Sequence, residues 1–400
     1  MRRPRLIDPR FSGIRNEMVK MGVDPVGIEM MEGKSRHHLI RLDDVDLKAA
    51  LILKQDMLSL GGEAALCRGA AGLNVRETPV LLMGTLKQIR ALVSKLEGQP
   101  FKLAELSRLI EGLLETIDNV PRYFVRGRDL LANGKKVVVG ILNVTADSFS
   151  DGGKFADRES AVARGIEMTV QGADIVDVGG ESTRPGSRPV SVQEELENVI
   201  PVIRDLVAEN VKNISVDTTK SAVAEKAIQE GACIVNDISG MTFDDRMLPV
   251  AAQSDASVIL MHTRGRSETM QDFLVYDDLM AEVFSYLEGT MESALEAGIP
   301  SEKICLDPGI GFGKSLEQNL ELISRIGEFR SLGTSVMVGA SRKSFIGDLT
   351  GAGVEDRMPG SISAAVAASL RGADMVRVHD VAETVQAMAV VSGMEEIIKC

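Results

Sequence analysis

Between Val137 and Gly153 the chain reads VVVGILNVTADSFSDGG, a run of β-branched apolar residues that ends abruptly in Asn, Thr, Asp and Ser. β-branched side chains favour the pleated strand, and a strand that stops in polar groups presents them at its tip. The pattern recurs at DIVDVGGESTRPGS, ISVDTT, CIVNDISG, VILMHTRG, ICLDPGIGFGK, SVMVGASRKS and MVRVHDV, which makes eight apolar runs in all. The segments between them have helix length. Eight strands alternating with helices predict a (β/α)8 (TIM) barrel of about 250 residues, an α/β fold in which reactive groups gather where the strands end.

A chain of 400 residues is long enough for a second domain. The part up to about Gly134 lacks the strand-then-polar pattern and reads as a smaller α+β domain. His38 to Leu42 suits a short strand. From Asp46, DLKAALILKQDMLSL has helical spacing, with Ala50, Leu53, Met57 and Leu60 on one face and Gly61-Gly62 as a stop. Short runs at Ala64–Cys67 and Val80–Met83 precede the helix-like LKQIRALVSKL, so a β-α-β-β-α order is predicted, a small sheet with helices on one face. The amphipathic stretch carrying Leu103, Leu106, Leu109, Ile110, Leu113, Leu114 and Ile117 would form a helix docked on the barrel. The boundary is expected near Ala132, giving residues 1–132 and 133–400 as the two domains; the role of the first is not legible in its residues.

Hydrophobic residues at 44% and charged residues at 26% describe a globular chain able to bury a large core. A net charge of -13 disfavours binding to nucleic-acid backbone or anionic lipid, so anionic substrates would need locally placed arginines. The four cysteines lie far apart and form no CxxC pair suited to zinc. Arginines but no apolar stretch follow the start, and no run approaches 18 apolar residues, so a cytoplasmic protein is expected.

Asp217, Asn236, Asp307 and Lys343 end the third, fourth, sixth and seventh strands and should converge above the barrel centre. The eighth strand closes beside the first, so Arg377 and His379 should sit near Asn143, where this fold often seats phosphate. The loops Thr145–Phe155 and Ser182–Arg188 are rich in Gly, Ser and Asp, as flaps are. Two motifs mislead. GIGFGKS imitates a phosphate-binding P-loop, but that motif needs a glycine where Pro308 stands. His37 and His38 have no carboxylate or cysteine at metal-ligand spacing. Asp177 and Glu181 are expected to play structural parts, and His262 and Arg264 receive no role.

From Lys135 to Cys400 these motifs, in this order, closely resemble dihydropteroate synthase, the folate-pathway enzyme that joins a pterin to p-aminobenzoate. The resemblance implies that Asp217, Asn236, Asp307 and Lys343 hold the pterin, whose N–H-rich edge and carbonyl match two carboxylates, an amide and an ammonium. Met261 and Phe312 match positions that pack on its ring. Asn143, Arg184, Arg377 and His379 match a pyrophosphate seat, with Asn143 also contacting Mg²⁺. The p-aminobenzoate pocket would include Phe155, Thr183, Pro185 and Ser344. Asp217 and Lys343 would be catalytic together with Asp151, which with Lys343 orders the amine end. Homodimers are common in the family. One departure is Ala146, where relatives usually have proline, which should loosen the first loop. A corrinoid methyltransferase is also a pterin-binding barrel and would share the Asp and Asn positions, but it needs no pyrophosphate seat. A barrel without catalysis, serving as a scaffold, would have lost site groups, and none is missing.

Overall fold

The computed structural model describes residues 5, 7, 13–144, 154–181, 189–266 and 274–399. The chain divides into two compact units, residues 1–118 with 394–400, and residues 119–393.

The first unit contains α1 (Ile14–Lys20), α2 (Pro25–Glu32), β1 (His37–Asp46), α3 (Leu47–Ser59), β2 (Glu63–Leu66), α4 (Arg68–Ala71), β3 (Glu77–Thr85), α5 (Leu86–Leu96) and α6 (Leu103–Asp118). Its sheet has the order β1-β3-β2 with antiparallel pairs. Helix starts are written locally: Asp46 accepts from the Lys48 backbone N–H at 2.8 Å, and Thr85 with Gln88 forms a reciprocal cap on α5. Ala50, Leu53 and Met57 are buried against Val80, Leu82, Ile89 and Leu92. The strands and helices predicted for this region all form; α1, α2 and α4 were not foreseen. One expectation is corrected. The apolar face of α6 was assigned to the barrel, but Leu103, Ile110 and Leu114 are buried in the first unit's own core beside α5, where burying a three-turn stripe needs no second domain.

The second unit opens with a hairpin, β4 (Phe124–Val125) and β5 (Arg128–Asp129), and continues with β6 (Val137–Asn143), β7 (Ile175–Gly179), β8 (Ile214–Asp217), β9 (Ile234–Asp237), β10 (Ser257–Met261), β11 (Ile304–Asp307), β12 (Ser335–Val338) and β13 (Met375–Val378). These last eight are parallel and close into a barrel, with β13 against β6. Around them run α7 (Lys154–Val170), α8 (Val192–Ala208), α9 (Ser221–Gln229), α10 (Met247–Ala252), α11 (Leu279–Glu296), α12 (Leu316–Ser324), α13 (Ser344–Thr350), α14 (Met358–Leu370) and α15 (Val381–Lys399). Each predicted apolar run is a barrel strand. Among the described residues no helix is long and apolar enough to cross a membrane.

Inside the barrel, Val137, Val139, Ile175, Ile259, Cys305, Met337 and Met375 form an apolar layer with Tyr123, Val125, Leu130 and Leu131 of the hairpin segment. Tyr123 is fully buried, and its hydroxyl donates to the Val258 carbonyl at 3.5 Å. Ser257 Oγ donates to the Phe124 carbonyl at 2.5 Å and Arg126 to the Gly231 carbonyl at 2.7 Å. These bonds tie the hairpin to the barrel, which is why the units divide after Asp118 and not near Ala132.

Candidate active site

The strand tips assemble a polar layer directly above the apolar one. Register sets Asn143 opposite Gly179, Gly179 opposite Asp217 and Asp217 opposite Asn236, while Met261 pairs with Asp307. Side chains alternate along a strand, so moving two residues on from Ile175, Cys305 and Met375 brings Asp177, Asp307 and Arg377 to the same inner face.

At its centre Arg377 spans two carboxylates: Nε donates to Asp177 Oδ2 and Nη2 to Asp217 Oδ2, both at 2.6 Å. Asn236 Nδ2 donates to the same Asp177 oxygen at 3.0 Å. Asp177 is fully buried, and its Oδ1 has no partner among the described residues. Burial raises the Asp217 carboxyl to about 7 against the pull of Arg377, with Asp177 adding to the rise. Burial also works to lower Arg377, but Asp177 and Asp217 more than offset this and hold it above the ordinary guanidinium range. Asp307 is likewise raised by burial, while its Oδ1 accepts from the Gly309 N–H at 2.8 Å.

Beside this network Met261 and Phe312 form an apolar pair with Ile238 packed against it. Lys343 Nζ stands 3.9 Å from the centre of the Phe312 ring, a cation over a π face. Burial, followed by Arg377, lowers Lys343 to about 8. Its backbone is aimed by the preceding residue: Arg342 has φ 56°, held by donation to Asp380 at 2.6 Å and by Arg357 Nη1 on its carbonyl at 3.2 Å. Gly311 has φ 82°, and a Cβ there would come within 2.9 Å of Lys343 Cδ, so glycine lets the loop pass under the lysine.

The second expected group is partly redistributed. Asn143 is exposed at the tip of β6, and His379 lies just past β13 with Nδ1 3.0 Å from Ser341 Oγ. Arg377 is engaged by the carboxylates of the first group, because its strand position faces the barrel axis. Burial, then Arg377 and Arg342, lower His379 to about 4, leaving a neutral imidazole. Ser344 is exposed as the first residue of α13, next to Lys343. Asp151, Thr183, Arg184 and Pro185 lie outside the described residues, as do Ala146 and the side chain of Phe155.

Two features escaped the sequence reading. Asp177 has the structural part expected of it, yet that part is to hold both Arg377 and Asn236; inward parity with Ile175 was the available signal. Glu181 pairs with Lys220 Nζ, which also donates to the fully buried Glu195 at 2.6 Å. Burial raises Glu195 despite that lysine. Glu195 sits on α8, and nothing in its spacing marks it. Among the described residues no cluster of three His, Cys, Asp or Glu could hold a metal ion.

Residues 139–379 match the family of pterin binding enzymes. The dihydropteroate synthase of Synechocystis is 44% identical over 287 residues, 70% of this chain and 99% of that protein. A probable bifunctional folylpolyglutamate synthase/dihydropteroate synthase of Halobacterium salinarum is 40% identical over 386 residues; the match takes in 94% of this chain, which spans 45% of that longer protein. The crystal structure of Yersinia pestis dihydropteroate synthase in complex with a sulfonamide drug superposes with a TM-score of 0.65 at 40% identity, covering 69% of this chain and 99% of that one. With its barrel closed and the polar layer at the strand tips, the chain belongs to the pterin-binding enzymes, among the dihydropteroate synthases.

Proposed function

We propose that the chain condenses 6-hydroxymethyl-7,8-dihydropterin diphosphate with p-aminobenzoate, giving 7,8-dihydropteroate and pyrophosphate. The observation that carries this reading is the buried Asp177–Arg377–Asp217 network beside the Met261–Phe312 pair and Lys343. Carboxylates at Asp217 and Asp307 accept from the N–H edge of the pterin, the Asn236 amide adds a further polar contact, and the Lys343 ammonium donates to the ring carbonyl. Met261 and Phe312 hold the ring faces, which hydrogen bonds cannot.

The bond between the pterin methylene and the bridging oxygen breaks first, and its electron pair leaves with pyrophosphate. The ring delocalises the positive charge left behind, and the nearby carboxylates favour it electrostatically. The amine lone pair of p-aminobenzoate then forms the carbon–nitrogen bond, and the nitrogen releases one proton. Arg377 and His379, with Arg184 from the second loop, receive the departing anion; a doubly charged anion beside His379 would raise the imidazole toward protonation. Asp151 and Lys343 order the amine end, with Phe155, Thr183, Pro185 and Ser344 lining the p-aminobenzoate pocket.

Mg²⁺ fits the donor set, because it favours oxygen ligands from substrate phosphates and few from protein, and Asn143 offers one exposed amide oxygen at the rim. Bound there by Asn143, it would supply charge neutralisation of the leaving pyrophosphate. On the strength of the family we further propose a cytoplasmic homodimer.

The test is pyrophosphate release from the pterin diphosphate with Mg²⁺, with and without p-aminobenzoate. Release tied to the amine and yielding dihydropteroate supports the reading; pterin binding without turnover removes it. Lys343→Ala should lower turnover roughly 10²- to 10³-fold with an unchanged melting curve. Unchanged turnover would remove Lys343 from the site.

A further inference from the structure

GIGFGKS, although no P-loop, does not end without a function, and neither does His262. In the structure the two meet. Lys314, the lysine of that motif, is 5% exposed, and His262 is 2% exposed. Lys314 Nζ donates to the carbonyls of Gly309 at 2.9 Å and Phe312 at 3.0 Å, and it stands 3.0 Å from His262 Nδ1. An ammonium has three donors and no acceptor, so these partners satisfy it fully if His262 accepts at Nδ1 and carries its proton on Nε2. Burial, then the charges of Lys314 and Arg264, lower His262 to about 2, which keeps the ring neutral. Burial pulls Lys314 down as well, to about 7, with Lys343 and Arg264 adding to the fall and Asp307 opposing it; the three acceptors within reach of its ammonium favour the charged form.

The lysine joins the ends of two strands. His262 follows Met261 at the end of β10, and Gly309 and Phe312 belong to the loop after Asp307 of β11. The loop backbone lies directly against β10: Gly309 has φ 71°, and a Cβ there would fall 2.0 Å from the His262 carbonyl oxygen. Farther along, the Gly311 N–H donates to Asn319 Oδ1 at 2.6 Å, and Asn319 Nδ2 donates to the carbonyls of Lys314 and Ser315 at 3.2 and 2.8 Å. Those bonds anchor the loop to α12, whereas Lys314 fastens it across to β10. The Gly309 carbonyl also accepts from the Phe312 N–H at 3.1 Å, so an apolar side chain of similar length would fill the space but leave the Phe312 carbonyl and an imidazole nitrogen buried without the lysine's donors.

We propose that Lys314 is a positioning residue for the pterin floor: its ammonium fixes the 308–313 loop against the end of β10. That fixes the spacing of Met261 and Phe312 and the aim of Asp307. The inference rests on the reading of those three residues as pterin-binding. Displacing the loop therefore weakens capture of the pterin far more than that of p-aminobenzoate, whose proposed pocket residues Phe155, Thr183, Pro185 and Ser344 belong to other segments of the chain.

The experiment measures KM for each substrate in the full-length protein carrying Lys314→Met, His262→Leu, both together, or Phe312→Ala. Lys314→Met should raise the pterin diphosphate KM about tenfold, the equivalent of roughly 1.4 kcal/mol of binding, and hold the p-aminobenzoate KM within about twofold. The double variant should be no worse than Lys314→Met alone, because the two side chains act as one clasp. Equal rises in both KM values, or effects that simply multiply, would overturn the positioning role. If Lys314→Met does not fold, His262→Leu alone, which keeps the lysine and removes one acceptor, should still raise the pterin KM selectively; no change overturns the proposal. Phe312→Ala separates the two levels. A pterin KM unmoved by Phe312→Ala removes the pterin-site reading, whereas one raised by Phe312→Ala but not by the clasp variants removes only the role of Lys314.

Discussion

The two ends of the barrel interior are built from the same strands and obey opposite rules. Toward the amino ends of the strands, Val137, Ile175, Cys305 and Met375 close on Tyr123 in a layer without charge. Two residues further along the same inward faces stand the buried Asp177 and Asp307 and the half-buried Arg377, charges that partner one another or wait for a ligand. The apolar end gains stability from burial of hydrocarbon. The polar end holds carboxylates that burial pushes upward, which is a cost to folding that only a binding function justifies. A single pleat step separates stability from chemistry.

The largest expected effect breaks the polar end. Arg377→Met leaves Asp177 and Asp217 facing each other in a buried site without their shared cation. Removal of one partner from such a network costs about 3–5 kcal/mol, and turnover should fall roughly 10³-fold or more with the loss of a leaving-group contact as well. Thermal melting with pyrophosphate release reads both. A variant that melts and turns over normally would show that the network is neither structural nor catalytic.

The apolar end should answer differently. Tyr123→Ala empties the centre of the hairpin plug and should cost about 3–5 kcal/mol, as large aromatic truncations in cores do. The folded fraction should keep its kcat and both KM values, because Tyr123 lies a full layer away from Asp217 and Asp307. Lost turnover in protein shown to be folded would mean that the two layers are mechanically coupled, against the division drawn here.

Much of this contrast was legible in the chain. The apolar runs stop close to the true strand ends, since a β-branched apolar run fixes both the strand and its stopping point, and Asp217, Asn236 and Asp307 come together for that reason; Lys343, expected to end the seventh strand, instead lies past β12 as the N-cap of α13 and reaches the site from that loop. What was missed depends on partners distant in sequence. Arg377 reads as a phosphate ligand alone, and only barrel closure shows that it also stands between Asp177 and Asp217, 200 and 160 residues away along the chain. Glu195 and Lys220 meet across a helix and a loop, and no period relates them. Tyr123 falls on the first-domain side of the boundary expected near Ala132, and only the unfilled barrel end explains its burial there.

Titration sharpens the comparison, because the carboxyls raised by burial gather at one end. Asp237, which follows Asn236, is raised by burial to about 6, although Ser239 donates to its Oδ1 from both N–H and Oγ at 2.7 Å. A carboxyl whose folded pKa exceeds its unfolded value binds more protons when folded, so it favours folding at low pH, and that contribution is lost as pH rises from about 4 through 6. Asp237→Asn cannot ionise, and its amide oxygen can still accept from Ser239. The unfolding free energy from denaturant titration between pH 4 and 8 should therefore fall less in the variant than in the parent, by up to about 3 kcal/mol. Identical slopes would mean that Asp237 is not held neutral by its site.

The smallest effect belongs to an ion pair at the apolar end. Lys135 pairs with Asp174 just before β6 and β7, but the lysine side chain is 53% exposed. Asp174 does not depend on it, since Oδ2 also accepts from the Val138 N–H at 3.1 Å. Lys135→Ala removes a charge that water readily replaces, and should change stability by less than about 1 kcal/mol with no effect on either KM. The chemistry of this pair is that of Arg377 with Asp217, a cation on a carboxylate. Their predicted consequences differ because the Arg377 side chain is only 16% exposed and its partners less so, so a large loss in Lys135→Ala would show that the identity of the pair, and not its burial, sets the difference between the two ends.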